Sequence, residues 1–144
     1  MDSTLLLVGS IGAGKTTFRQ QLMEQDIDYA KTQSIEAFDG VIDTPGEYLE
    51  YGRLRRALQV VAYDVDTVVM MLDPTSDGNR IPPGFAISFN KPTIGIVTKI
   101  DLASPTQIAA AEEQLAQAGA ERIYAVDSLS GRGFDDVREA LCRT

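Results

Sequence analysis

The chain has 144 residues, and its apolar fraction of 44% and charged fraction of 24% are ordinary for a folded soluble protein. This length suits one compact domain, so we expect residues 1–144 to fold as a single unit. The net charge of -8 argues against a surface that binds nucleic acid or an anionic membrane, because such binding depends on clustered Lys and Arg.

The histidine and cysteine contents exclude several kinds of site. Histidine is absent, which removes His-based triads and imidazole metal ligands. The single cysteine, Cys142, cannot form an internal disulfide or a Cys-based zinc site, and this usage suggests a reducing compartment. The N-terminus lacks the basic region and the long apolar run of a signal peptide. We therefore expect a cytoplasmic protein.

The first elements in chain order are a strand, a loop and a helix. Leu5–Val8 is a continuous apolar run that Gly9 ends, which predicts a strand buried on both faces of a parallel sheet. A helix is predicted from Lys15 to about Gln25, with Phe18 on its inner side. Further apolar runs predict the remaining strands: 35–38 with 40–42 at an abbreviated edge, 68–72, 93–97 and 123–126.

Helices are predicted between these later strands. An amphipathic helix is expected over 47–62, and a capping box at Ser104 with Gln107 opens another helix that Gly119 ends. A last helix begins near Phe134. This alternation predicts an α/β, three-layer domain: a mostly parallel central sheet with a short edge strand and helices on both faces.

The segment 75–90 breaks that alternation. Its Gly and Pro residues preclude a long helix, and Phe85, Ile87 and Phe89 then alternate in an irregular connection. One interpretation is that these three side chains cover the sheet where a helix is missing. The other is a docking patch for a partner.

A glycine-rich loop follows the first strand and matches the pattern G-x-x-x-x-G-K-[ST]: Gly9-Ser10-Ile11-Gly12-Ala13-Gly14-Lys15-Thr16. In this context its backbone N–H groups would surround phosphate oxygens. Lys15 would contact the β- and γ-phosphates, the Thr16 hydroxyl would bind Mg²⁺, and Thr17 would complete the nucleotide-binding stretch. The alternative is a turn that only tightens strand-to-helix packing.

A second phosphate element follows the next predicted strand, in Asp43-Thr44-Pro45-Gly46. Asp43 can hold Mg²⁺ through a water molecule, and the Gly46 N–H can meet the γ-phosphate. The same pattern is common in ordinary turns. Its position after the glycine-rich loop favours the functional interpretation.

The base-binding candidates follow the last two strands. In Thr98-Lys99-Ile100-Asp101 the carboxylate could accept hydrogen bonds from N1–H and the 2-amino group of guanine, a donor pair that adenine lacks. Lys99 would lay its aliphatic stem along the base. Thr98 stands where such motifs usually carry Asn. Beyond the last strand, Ser128 and Leu129 could back the base, although loop residues of this kind are commonly turn or cap residues.

These elements together resemble the small-GTPase class of P-loop NTPases across almost the whole chain. More narrowly, Lys31-Thr32-Gln33 and Asp43-Thr44-Pro45-Gly46-Glu47-Tyr48 look like the EutP/PduV family of ethanolamine- and propanediol-utilisation proteins. The resemblance implies a GTPase-like protein associated with bacterial microcompartments. It also implies that Thr32 completes the Mg²⁺ shell when GTP is bound; without the family, Thr32 is an ordinary loop threonine.

The predicted catalytic set is Lys15, Thr16, Thr32 and Gly46. Ile11 and Glu47 replace a glycine and a water-positioning glutamine of Ras-like enzymes, so we expect slow GTP hydrolysis. Three functions remain open: a GTP-dependent switch or accessory factor, a nucleotide-binding scaffold with incidental turnover, and an ATP-dependent kinase of a small acid such as acetate. A guanine-reading carboxylate at Asp101 favours the first over the kinase.

Overall fold

The computed structural model describes residues 3–9, 17–18, 20–21, 38–43, 60, 65–75, 81, 83–127 and 130–142. Five parallel strands form one sheet in the order β2-β1-β3-β4-β5: β1 Ser3–Gly9, β2 Phe38–Asp43, β3 Thr67–Leu72, β4 Thr93–Val97 and β5 Arg122–Ala125. The parallel sheet confirms the predicted fold class. The shortest of these strands, β5, lies at one edge, and β2 lies at the other.

The described helices lie between and after these strands. They are a 3₁₀ helix Phe85–Phe89, a 3₁₀ turn Ile100–Leu102, helix α1 Pro105–Ala118 and helix α2 Phe134–Cys142, and residues 17, 18, 20 and 21 are also helical. The predicted capping box is confirmed: Ser104 Oγ accepts from the Gln107 N–H at 3.2 Å, and Gln107 Oε1 accepts from the Ser104 N–H at 2.9 Å. Gly119, with φ of 108°, ends α1.

Both faces of the sheet are apolar and covered, as the continuous runs in the central strands predict. Leu6 and Val8 of β1 face the layer that contains α1, while Leu5 and Leu7 face the layer that contains α2. The residues of β3 alternate between the same two layers. On the α2 side, the rings of Phe18 and Phe134 lie 5.1 Å apart. Helices therefore pack on both faces, as predicted.

A glycine in β4 allows α1 to lie close to the sheet. A Cβ atom at Gly95 would lie 3.1 Å from Leu115 Cβ and 3.2 Å from Ala120 Cβ, closer than side chains normally approach. Leu115 is fully buried at this contact. The close approach fixes α1 against the strand whose carboxyl end carries the Thr98–Asp101 sequence.

The connection before β4 differs in part from its prediction. Phe85 and Phe89 are buried, and their rings pack edge to face at 5.1 Å. Ile87 is 78% exposed, because the chain forms a 3₁₀ helix rather than an extended, alternating segment. The interpretation that all three side chains cover the sheet is therefore wrong for Ile87.

Two further predictions differ slightly or fall outside the described residues. Strand β5 covers Arg122–Ala125 rather than 123–126, a shift of one residue. The predicted helix 47–62 lies outside the described part of the chain except for Val60, which is helical and exposed. No helix among the described residues is long and apolar enough to cross a membrane.

Candidate functional site

The parallel register brings the carboxyl ends of all five strands to one edge of the sheet. Gly9 lies opposite Met71, Leu72 lies opposite Val97, and Val97 lies opposite Ala125. On the other side of β1, Asp43 is the partner of Leu7. Each predicted motif that begins at a strand end therefore begins at the same edge, where ligands bind in open α/β sheets.

On the phosphate side, the structure fixes both ends of the predicted glycine-rich loop. Gly9 is buried at the end of β1, and Thr17 is half-buried in the helical segment that holds Phe18. The backbone of Asp43 lies at the end of the neighbouring strand. The other residues predicted to contact the phosphates or Mg²⁺ fall outside the described part of the chain: Ser10, Ile11, Gly12, Ala13, Gly14, Lys15, Thr16, Thr32 and Gly46.

Thr98 lies directly after β4 and is attached to β3. Its side chain is buried, its Oγ1 donates to the Leu72 carbonyl at 3.3 Å, and its backbone N–H donates to the same oxygen at 3.0 Å. The threonine that replaces the usual Asn thus makes a strand-to-strand contact. It fixes the point from which Lys99 and Asp101 leave the sheet.

Lys99 has a left-handed backbone, with φ of 54° and ψ of 39°, which is uncommon for a residue other than glycine. This conformation turns the chain from β4 into the 3₁₀ turn that carries Asp101. The Leu102 N–H donates to the Lys99 carbonyl at 3.0 Å, and the Ile100 N–H donates to the Val126 carbonyl at 3.4 Å. The turn is therefore joined both to itself and to the end of β5, and it leaves Asp101 exposed.

The Lys99 ammonium forms a salt bridge with a residue that the sequence interpretation missed. Lys99 Nζ lies 3.0 Å from Oδ2 of Asp73, the residue directly after β3. Asp73 is 5% exposed, and its other oxygen accepts from the Thr75 N–H at 2.8 Å and the Thr75 hydroxyl at 2.6 Å. Burial raises the pKa of Asp73, but the hydrogen bonds from Thr75 and Lys99 and the charge of Lys99 outweigh it and bring the pKa below its ordinary value.

A signal for Asp73 was present in the sequence. Asp73-Pro74-Thr75 follows a strand of five apolar residues, and an Asp two positions before Thr can accept its backbone N–H in a tight turn. An acidic residue at the carboxyl end of a central strand also lies at the ligand edge of such a sheet. The pairing with Lys99 required the three-dimensional register, because the two residues are 26 positions apart.

The loop after β5 begins with a second buried carboxylate. Asp127 is 9% exposed and accepts from the Ser130 hydroxyl at 2.8 Å, while its backbone pairs with Arg132. Ser128 and Leu129, the predicted base-backing residues, fall between these positions and outside the described residues. Among the side chains that the structure describes, no group of three or more acidic, Cys or His residues is arranged to hold a metal ion.

Comparisons with known proteins agree with this architecture. The PduV-EutP family model, described as "Ethanolamine utilisation - propanediol utilisation", matches residues 2–143. The propanediol utilization protein PduV of Citrobacter freundii is 37% identical over 146 residues, which cover 97% of each chain. The "Probable acetate kinase EutP" of Escherichia coli strain K12 is 35% identical, over 81% of this chain and 74% of that protein.

More distant similarity extends to GTPases. GTPase Era of Bradyrhizobium sp. strain ORS 278 is 31% identical over 94% of this chain and 51% of its own length. The crystal structure of elongation factor SelB from Methanococcus maripaludis, solved with a GTP analogue, superposes on 99% of this chain with a TM-score of 0.67. The match spans 34% of the SelB chain at 23% identity, and it shows the fold. The chain therefore has a P-loop GTPase fold and belongs to the PduV-EutP family of ethanolamine and propanediol utilisation proteins.

Proposed function

We propose that this chain binds GTP and GDP at the carboxyl edge of its sheet. The supporting observation is the turn after β4, which presents Asp101 to solvent while Lys99 lies beside it on a fixed backbone. One strand separates β4 from β1, so the two strand ends lie roughly 10 Å apart. A single nucleotide can span that distance, with its base at Asp101 and its phosphates at the loop that begins at Gly9.

The phosphate and metal contacts of this proposal use the predicted residues. Lys15, the backbone from Gly9 to Thr17 and the Gly46 N–H would hold the phosphates. Mg²⁺ would be bound by Thr16 and Thr32, and by Asp43 through water. Hydroxyl and carboxylate oxygens suit this hard cation, and the backbone of Asp43 lies at the correct edge for such a role.

The direct test is titration of the purified protein with GTP, GDP, ATP and ADP, with and without Mg²⁺. We expect both guanine nucleotides to bind more tightly than their adenine counterparts, and Mg²⁺ to tighten GTP binding. Equal affinity for GTP and ATP would contradict the assignment of Asp101 as the base-reading residue. Unchanged GTP affinity on removal of Mg²⁺ would contradict the metal assignment.

For activity, we propose slow GTP hydrolysis in a switch or accessory factor. Ile11 and Glu47 replace a glycine and a glutamine of Ras-like enzymes, and the sequence predicts no arginine finger within the chain. Both features favour a hydrolysis rate on the order of 10⁻⁴–10⁻² s⁻¹. Single-turnover hydrolysis measures this rate. If GTP binds and is not hydrolysed, the alternative of a nucleotide-binding scaffold takes precedence.

A second candidate is an ATP-dependent acetate kinase, which the name of the Escherichia coli relative supports. Incubation with ATP and acetate, followed by measurement of ADP and acetyl phosphate, distinguishes this candidate. Acetyl phosphate formed in proportion to ADP would favour the kinase. GTP preference with phosphate release and no acetyl phosphate would favour the GTPase.

The family description supports a role in ethanolamine or propanediol utilisation. We propose a cytoplasmic setting there, with a microcompartment shell protein or enzyme as partner. We propose that the chain acts there as one nucleotide-binding domain, residues 1–144. Co-purification of the tagged protein with isolated microcompartments, in the GTP and GDP states, tests the association. Recovery only in the soluble fraction in both states would contradict it.

A further inference from the structure

The Asp73 carboxylate is a fixed anion at the ligand edge of the sheet. Both of its oxygens accept hydrogen bonds, one from the Lys99 ammonium and the other from two donors of Thr75. It is 5% exposed, and the pKa of Asp73 is lowered despite its burial. The group therefore remains charged at neutral pH, and its orientation is set by its own loop before any ligand binds.

The Lys99 ammonium is held by Asp73, although the lysine side chain is partly exposed. Its ammonium lies 3.0 Å from the buried carboxylate, while the side chain as a whole is 40% exposed. A lysine side chain that must be ordered when a ligand arrives loses rotamer freedom at that moment, and this loss weakens binding. Anchoring the ammonium beforehand avoids part of that loss, and the side chain keeps enough exposed surface to flank a planar base.

The same contact affects Asp101, which lies two residues further along the turn. A lysine ammonium without a nearby anion would be attracted to the Asp101 carboxylate, whose oxygens must accept hydrogen bonds from a base. Within the described part of the chain, the salt bridge of Lys99 is with Asp73 and not with Asp101. The buried Asp73 carboxylate thus holds the Lys99 ammonium away from the exposed Asp101 carboxylate.

We infer that Asp73 is a positioning residue of the base site: it holds the Lys99 ammonium so that the lysine stem flanks the base and Asp101 remains available to the guanine edge. This inference rests on the proposed guanine-nucleotide binding. Asp73 acts through Lys99 and makes no contact with the nucleotide itself.

A double-mutant cycle tests the inference. GDP and ADP affinities are measured for the wild type, Asp73→Asn, Lys99→Met and the double variant, together with the unfolding midpoint of each protein without nucleotide. We expect Asp73→Asn to weaken GDP binding about tenfold and ADP binding less, because the ordered lysine stem flanks either base whereas the availability of Asp101 matters only for guanine. In the Lys99→Met background, Asp73→Asn should change GDP affinity less than about twofold, because the ammonium through which Asp73 acts is already absent.

Asp66→Asn is the matched control. Asp66 lies just before β3, as Asp73 lies just after it. Its exposed carboxylate accepts a hydrogen bond from the Thr4 N–H at 2.9 Å, at the amino ends of the strands. This variant makes the same chemical change beside the same strand, away from Lys99. Its GDP affinity should equal that of the wild type.

Thr75→Val provides a second route if Asp73→Asn does not fold. Thr75 is exposed, and this change removes the 2.6 Å hydroxyl bond to Asp73 without removing the carboxylate. We expect a loss of GDP affinity of about threefold that disappears in the Lys99→Met background. The cycle can therefore be completed with either variant.

These measurements distinguish a failure of the role inferred for Asp73 from a failure of the proposed guanine-nucleotide binding. If the wild type prefers GDP but the losses are additive, or Asp73→Asn has no effect, Asp73 does not act through Lys99 and the inference is wrong. If GDP and ADP affinities fall equally, its role is structural and the inference is also wrong. A wild type without guanine preference contradicts the proposed function, and the inference fails with it.

Discussion

Thr98 and Leu72 are joined by two hydrogen bonds to one oxygen: the Leu72 carbonyl accepts from the Thr98 backbone N–H at 3.0 Å and from its hydroxyl at 3.3 Å. The backbone bond continues the parallel pairing of β3 with β4. The hydroxyl bond adds a side-chain contact at the point where β4 leaves the sheet. Because the side chain is 1% exposed, water cannot replace this contact.

We predict that Thr98→Val lowers the free energy of unfolding by about 1–2 kcal/mol. Valine keeps the shape of threonine but places a methyl group where the hydroxyl donates. Urea denaturation of the nucleotide-free protein measures the change. Thr106→Val, at an exposed position of α1, is the control and should shift the free energy by no more than about 0.5 kcal/mol. An equal effect at both positions would show that the hydroxyl bond does not contribute to stability.

A pH dependence follows from the Asp73 carboxylate. The pKa of Asp73 in the folded protein lies below its ordinary value of 3.8, so the folded state stabilises the charged form. Its contribution is complete above the unfolded pKa and is lost as the pH falls through the folded value. The difference in unfolding free energy between the wild type and Asp73→Asn should therefore be constant above about pH 5 and decrease below about pH 4. Urea denaturation from pH 3 to 7 checks this, and a difference that grows on acidification would contradict the lowered pKa.

Much of the fold was predictable because local and tertiary preferences agree. The run Val68–Leu72 consists of apolar residues suited to a central strand, and the strand observed extends it by one residue, Thr67. Thr93–Val97 was predicted with its observed bounds. At Ser104, the side chain satisfies the first backbone donors of α1 by purely local geometry, so a four-residue pattern was sufficient.

Other features depend on contacts that no local pattern contains. Alternation at Phe85, Ile87 and Phe89 is compatible with an extended segment, but the packing of the two phenylalanine rings occurs in a 3₁₀ helix that exposes Ile87. The salt bridge of Asp73 depends on the pairing of β3 with β4 and on the left-handed backbone of Lys99. Asp101 was predictable as a candidate because its spacing after the strand forms a known motif. Asp73 also carried a sequence signal, but its pairing with Lys99 required the three-dimensional register.

Gly133 allows a steric prediction about the loop before α2. Its φ is +87°, and a Cβ atom there would overlap the carbonyl oxygen of Ala125. Gly84 also has a positive φ, of +75°, but a Cβ atom there would meet only Ile87 Cδ1 at an ordinary 3.7 Å. We expect Gly84→Ala to cost about 1–2 kcal/mol from backbone strain and Gly133→Ala to cost about 1–3 kcal/mol more. Thermal and urea unfolding measure both, and equal costs would show that the loop moves away from Ala125 without penalty.

The last prediction concerns base selectivity at Asp101. If its carboxylate accepts two hydrogen bonds from guanine, each bond to this charged group contributes about 1.5–3 kcal/mol, so Asp101→Ala should weaken GDP and GTP binding at least about tenfold. Adenine nucleotides make no such bonds, and their affinity should be nearly unchanged. Since Asp101 is exposed and its carboxylate forms no salt bridge among the described residues, the variant should unfold at the wild-type urea concentration. Glu112→Ala, at an exposed position of α1, removes a carboxylate away from the strand ends and should leave both affinities unchanged. A parallel loss of guanine and adenine nucleotide binding in Asp101→Ala would mean that the carboxylate supports the turn after β4 and does not read the base.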